Sequence, residues 1–207
     1  SGAIGLADTA HILKMRGIFM QEAVSGEEGA MAAILGLNLD KVESLVAEIK
    51  GNEICEIAND NEPNQLVLSG HRTAIEKACE KAKFLGAKRA ILLPVSAPFH
   101  CSLMSTAQKN MINLISELNI KKPTVPLISN ITSIPTQKIE EIRKNLINQI
   151  TGRVRWRESI LFMENSGIQK VYEIGPGRVL CNLIRRISDK VEQENISKVE
   201  DLFKLGN

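Results

Sequence analysis

Aromatic residues are nearly missing from this sequence: it has one tryptophan, one tyrosine and five phenylalanines in 207 residues. Proteins that bind single-stranded nucleic acid stack bases on aromatic platforms, and too few side chains are present to build one. An excess of one charge is missing too. The 26 basic residues face 24 acidic ones for a net charge of +2, which is too even to draw in nucleic acid or a membrane surface. Apolar runs are short, so nothing reads as a membrane span. Cys55, Cys79, Cys101 and Cys181 form no C-x-x-C and no cluster with histidine, which argues against zinc or any other metal and against a disulfide framework. The opening SGAIGLADTAHILKMRG has neither a basic start nor an apolar stretch. No secretory leader is expected from it, and a reducing cytoplasm fits.

What is present is enough apolar material for a core, 43% of residues, in patterns that alternate between the helical and extended periods. Residues 6–24 read as a helix with Leu6, Ala10, Leu13, Met20 and Val24 as its apolar positions. Ser25-Gly26-Glu27-Glu28-Gly29 reads as a linker. Strands at 30–37, 53–60, 64–71 and 88–95 then alternate with helices at 39–50 and 72–87. That order, βαββαβ, is the ferredoxin-like unit. Beyond it the patterns predict helices at 103–118, 138–150, 156–167 and 178–188, with strands at 124–130 and 169–177. The tail from Val191 is polar with weak periodicity.

The expected class is therefore α/β, with residues 27–95 as a ferredoxin-like subdomain inserted between 1–26 and 96–207. The outer part has too few strands for its helices. Two strands make no stable parallel sheet covered on both faces, so the outer part reads as an incomplete piece of a larger α/β domain.

Few residues stand out chemically. His11 sits within an amphipathic helix and His71 at a strand end before a helix, both ordinary structural places. His100, in VSAPFHCSLM, lies in a strand-to-helix loop stiffened by Pro98. Catalytic side chains concentrate in such loops, so His100 is either a base or a loop histidine satisfied by backbone. Adjacent side chains point apart, which makes Cys101 a buried thiol rather than its partner. No G-x-S-x-G elbow occurs, so a base at His100 has no visible nucleophile. Arg16 is either an exposed helix arginine or a fork for a carboxylate. Gly175-Pro176-Gly177 is a tight turn with a weaker second reading as a phosphate cradle.

Five stretches, in this order, carry a resemblance: LKMRGIFMQEAV, GAMAAILGL, LPVSAPFHCSLM, LINQITGRVRWRESI and VYEIGPGRVLCNLIRRI. Together the chain resembles, over essentially all its length, the malonyl-CoA:acyl carrier protein transacylases of bacterial type II fatty-acid synthesis. The resemblance implies malonyl transfer from CoA to the phosphopantetheine thiol of acyl carrier protein through an acyl-serine. It implies His100 as catalytic base, the backbone carbonyl of Gln149 as its orienter, and Arg16 as the partner of the malonyl carboxylate. Phe99 and Met20 would line the acyl pocket. It implies no cofactor beyond the CoA thioester substrate, and malonyl-CoA and acyl carrier protein as partners.

One departure matters. The family's serine elbow and its glutamine-bearing oxyanion loop are not found in these residues; both would precede Ser1. The 207 residues alone are expected to be inactive, and an exposed sheet edge could promote self-association. A non-catalytic carrier-protein binding module is the alternative, using Lys81, Lys83, Lys88, Arg89 and the run Arg153, Arg155 and Arg157.

Overall fold

The computed structural model describes residues 1–24, 28–49 and 51–206. Ser25, Gly26 and Glu27 of the expected linker, and Lys50 at the end of an expected helix, lie outside them. The chain opens with helix α1 (Leu6–Glu22). Strand β1 (Gly29–Leu35), helix α2 (Leu39–Ile49), strands β2 (Cys55–Glu62) and β3 (Gln65–His71), helix α3 (Arg72–Phe84) and strand β4 (Arg89–Leu92) follow. The four strands form one antiparallel sheet in the order β2-β3-β1-β4.

Alternation along these strands decides what each sheet face meets. Ala32 and Ile34 of β1 and Leu66 and Leu68 of β3 pack with Val42 and Leu45 of α2 and with Ile75, Ala78 and Ala82 of α3. Met31 and Val67, from the opposite face, pack with Ala58, Leu93 and Phe99. One face is thus closed by the unit's own helices, and the other faces the loop that carries His100. Helix α3 buries Ile75, Ala78, Cys79 and Ala82, while Leu85 lies past its last turn and is exposed.

A 3-10 turn (Ser102–Met104) leads into α4 (Ser105–Glu117). Strands β5 (Leu127–Ile128) and β6 (Pro135–Thr136), helices α5 (Ile139–Asn148) and α6 (Trp156–Asn165), strand β7 (Lys170–Ile174), helix α7 (Val179–Ile187) and strand β8 (Glu192–Ile196) complete the order, with a 3-10 segment Val199–Gly206. The expected strand at 124–130 shrinks to Leu127–Ile128, since Pro126 has no N–H for a ladder. The tail is more ordered than its pattern suggests: β8 pairs in parallel with β7 over all five residues.

Helix α1 packs on α4, with Ile12 and Met20 buried against Ala107, Met111 and Ile115. Its expected apolar positions Leu6 and Leu13 are exposed instead. The sheet and the remainder are joined by an ion pair. Asp60, 1% exposed, receives Arg157 Nε and Nη2 at 2.9 and 2.8 Å. Beside it, Asp60 N–H donates to the Val154 carbonyl and Val154 N–H to that of Ala58.

Candidate active site

Arg16 is fixed by its position on α1. Ile12 and Arg16 are four residues apart and Leu13 and Arg16 three, so all three reach one side of the helix. They line a cavity of about 340 Å³ that also holds His100, Asn130, Leu146 and Gln149. Two of the residues singled out above, 84 positions apart in sequence, therefore share one space.

His100 is held by its loop. Pro98 and Cys101 on either side are buried, and the Cys101 thiol donates to the Pro98 carbonyl at 3.1 Å. Pro98 lies against Gly29, where a Cβ would come within 2.4 Å of the proline ring. Glu56 of β2 receives the Ser102 N–H at 3.0 Å and its hydroxyl, which ties the far side of the loop to the sheet. Between these anchors His100 adopts φ 58°, the left-handed region that non-glycine residues enter only when their surroundings hold them.

The imidazole Nδ1–H donates to the main-chain carbonyl of Gln149 at 2.9 Å. That carbonyl is available because Gln149 caps the end of α5, where helix carbonyls lack intrahelical partners. A carbonyl acceptor requires the proton on Nδ1, which leaves the Nε2 lone pair free to act as a base. Burial pushes the His100 pKa below its ordinary 6.5; the Gln149 carbonyl works against that shift and the nearby Arg16 adds to it. Burial likewise pushes Arg16 down. No hydrogen bond or ion pair engages Arg16 among the described residues. Two groups strained against positive charge thus face one cavity, where an anion would relieve both.

Some residues fall elsewhere. Met20 is buried in the core between α1 and α4 rather than on the cavity wall, and Phe99 is wedged between that core and the sheet. Cys101 is fully buried with its pKa raised by burial, no nucleophile at neutral pH. Burial pushes Cys55 to about 12. Arg153, Arg155 and Arg157 are all paired with carboxylates. The Gly175-Pro176-Gly177 turn presents a helix end already filled: Leu180 and Cys181 N–H donate to the Glu173 carboxylate at 3.0 and 2.9 Å. No serine, threonine or cysteine is among the residues lining the cavity. Asn130, Leu146 and Gly152 escaped the sequence reading. Gly152 carried a signal, a glycine just after an amphipathic helix, and a Cβ there would strike Ile131 and the Asn148 carbonyl.

No protein-family model matches the chain. The malonyl CoA-acyl carrier protein transacylase of Escherichia coli (strain K12) is 39% identical over 189 residues, which cover 91% of this chain and 61% of that protein. A solved acyl carrier protein S-malonyltransferase from Vibrio cholerae O1 biovar eltor matches with a TM-score of 0.95 at 35% identity, over 99% of this chain and 67% of that one. A malonyl-transacylase solved in complex with a type II PKS acyl-carrier protein matches with a TM-score of 0.94 at 33% identity, over 98% of this chain and 66% of that one. The chain spans 61–65% of the length of the curated relatives it matches. By this identity and coverage it belongs to the malonyl CoA-acyl carrier protein transacylase family.

Proposed function

We propose that these residues supply the base, its orienting carbonyl and the carboxylate-binding arginine of a malonyl transfer reaction. His100 Nε2 takes the proton from a serine hydroxyl as the oxygen attacks the thioester carbonyl of malonyl-CoA. The proton passes to the departing CoA thiolate, leaving malonyl-serine. The phosphopantetheine thiol of acyl carrier protein then gives its proton to His100 and takes the malonyl group, and the proton returns to the serine. Arg16 grips the free malonyl carboxylate, and an acetyl group would leave the half-buried guanidinium unpaired. Met20 and Phe99, packed in the cores beside the cavity, back the residues that line it. No cofactor beyond the thioester substrate takes part. The observation that carries this reading is the bond from His100 Nδ1–H to the Gln149 carbonyl beside a cavity shared with Arg16.

In this reading the nucleophilic serine lies outside the 207 residues, which turn over no substrate alone. Residues 27–95 act as a ferredoxin-like subdomain beside a hydrolase-like layer formed by 1–26 and 96–207. The setting is the cytoplasm. The relatives' names and the structure with a bound carrier protein support acyl carrier protein as the acceptor. Its docking surface on this chain is Lys83, Lys88 and Arg89 around Phe84, which is 92% exposed. Lys81 is engaged with Glu48, and the three arginines at 153–157 are paired, so they drop out of that surface. The β4 edge, with Ile91 and Leu92 exposed, is where two copies would associate.

A binding module without catalysis is the second reading, favoured by the absence of a nucleophile among the cavity-lining residues. Intact-mass measurement after mixing with malonyl-CoA separates the two. The 207-residue chain should gain no mass, and a chain extended upstream through a serine elbow should gain one malonyl group. An adduct on the shorter chain would show the nucleophile to be among its own residues. No adduct on either would favour the binding module.

A further inference from the structure

The resemblance gives Gln149 a role through its main chain only. Its side chain does something separate. Gln149 Nε2 donates to the carbonyl of Gly152 at 2.9 Å, across the turn that follows α5. Gly152 N–H donates back to the Asn148 carbonyl at 2.9 Å. The turn is therefore closed on both sides of the carbonyl that receives His100 Nδ1–H. The other half of the same amide, Gln149 Oε1, is buried without a hydrogen-bond partner. Leaving a buried acceptor unpaired is unfavourable, so stability alone gives no reason for a glutamine here. Flipping the amide would set Oε1 against the Gly152 carbonyl, so only one orientation makes the clamp.

We propose that the Gln149 side chain is a positioning residue that clamps the 149–152 turn and so holds His100 in its Nδ1–H tautomer with Nε2 free. The proposal rests on the reading of His100 as the base, but its consequence is visible without turnover. An unclamped helix end frays, and its last carbonyl loses a fixed direction. The Nδ1–H bond to that carbonyl then weakens, and the proton redistributes between the two ring nitrogens. A hydrogen bond of ordinary net strength corresponds to about a threefold to tenfold change in that distribution.

The test is nitrogen-15 NMR of the His100 ring in the 207-residue chain. The unaltered protein should show one tautomer, with the proton on Nδ1. Gln149→Met keeps the length and removes the donor. It should shift the distribution toward Nε2–H by about threefold to tenfold, while backbone resonances away from residues 149–153 stay put. Gln149→Asn, whose amide falls one methylene short, should shift it the same way and serves if the methionine variant does not fold. If neither variant folds, hydrogen exchange of the Gln149 side-chain amide in the unaltered chain decides. Protected protons support the clamp, and free exchange overturns it. An unchanged His100 tautomer in either folded variant overturns it too. Failure here leaves the transferase reading intact, whereas no malonyl adduct on either the shorter or the extended chain would overturn that reading and leave the clamp in place.

Discussion

Residues 29–92 and residues 127–206 both alternate strands with helices, yet they finish their burial very differently. In the first, β1 and β3 bury alternate side chains under α2 and α3, and Ala32, Ile34, Leu68 and Ile75 have no exposure. In the second, β7 and β8 make a two-stranded parallel pair, and apolar side chains stay open on and beside it: Tyr172, Ile174 at 74% exposure, Val179 and Phe203. An antiparallel four-stranded sheet with two helices on one face closes its own core. A parallel pair with helices around it needs further strands to do so. His100 and Arg16 stand between the two regions, His100 on a loop braced by the closed one and Arg16 on α1. The His100 loop leans on Gly29 and Glu56, which belong to the sheet, while the carbonyl that aligns the imidazole comes from the end of α5.

Breaking the joint between the regions should have the largest effect. Arg157→Met leaves the Asp60 carboxylate buried without its partner, and denaturant unfolding should show a loss of about 3–5 kcal/mol. A loss under 1 kcal/mol would mean that the carboxylate is satisfied by other groups. Overpacking the brace comes next. Gly29→Ala drives a methyl into the rigid Pro98 ring and should cost about 1–3 kcal/mol, with the His100 ring resonances shifted as the loop moves. A stability loss without any shift at His100 would separate the brace from the site.

Acid sharpens the comparison further. His100 has a folded-state pKa below its ordinary 6.5, so the unfolded chain takes up that proton first as pH falls. Its contribution to stability is whole above 6.5 and is lost through the more acid range down to the folded value. The melting temperature should therefore fall with acid, and His100→Asn should flatten that fall. Parallel curves for the two proteins would contradict the assignment. The smallest effect belongs to the open face: Ile174→Ser should change stability by no more than about 0.5 kcal/mol. A large loss there would show that something covers this face in solution.

Much of the closed region was legible because its elements follow simple periods. The helix expected at 72–87 ends at Phe84, where Gly86 takes φ 90°, and each strand is found within two or three residues of its expected start and end. The open region was legible in its helices and in β7, expected at 169–177 and found at Lys170–Ile174. Strand β8, EQENI, is polar apart from Ile196 and is made a strand by pairing with β7, which no local pattern announces. Strand β6 pairs only two residues and begins at a proline. At the site, His100 could be singled out by its loop and Arg16 as one of two readings of a helix arginine. Their meeting could not be read from spacing, because the bond to Gln149 crosses 49 residues and the cavity draws on α1, α4, α5 and the loops between. Met20 and Phe99 illustrate the opposite limit. The resemblance implies both for the acyl pocket, and their side chains pack into cores beside it.

The proposed function requires the cavity shared by His100 and Arg16 to hold a neutral histidine base and an arginine that pairs with a carboxylate. Its most direct test is an NMR titration of the 207-residue chain with malonyl-CoA and, separately, acetyl-CoA, following the Arg16 guanidinium and the His100 ring. Malonyl-CoA should shift both sets of signals and raise the His100 pKa, while acetyl-CoA should leave Arg16 unmoved. Equal responses to the two thioesters, or a malonyl-specific response confined to residues far from Arg16, would contradict it.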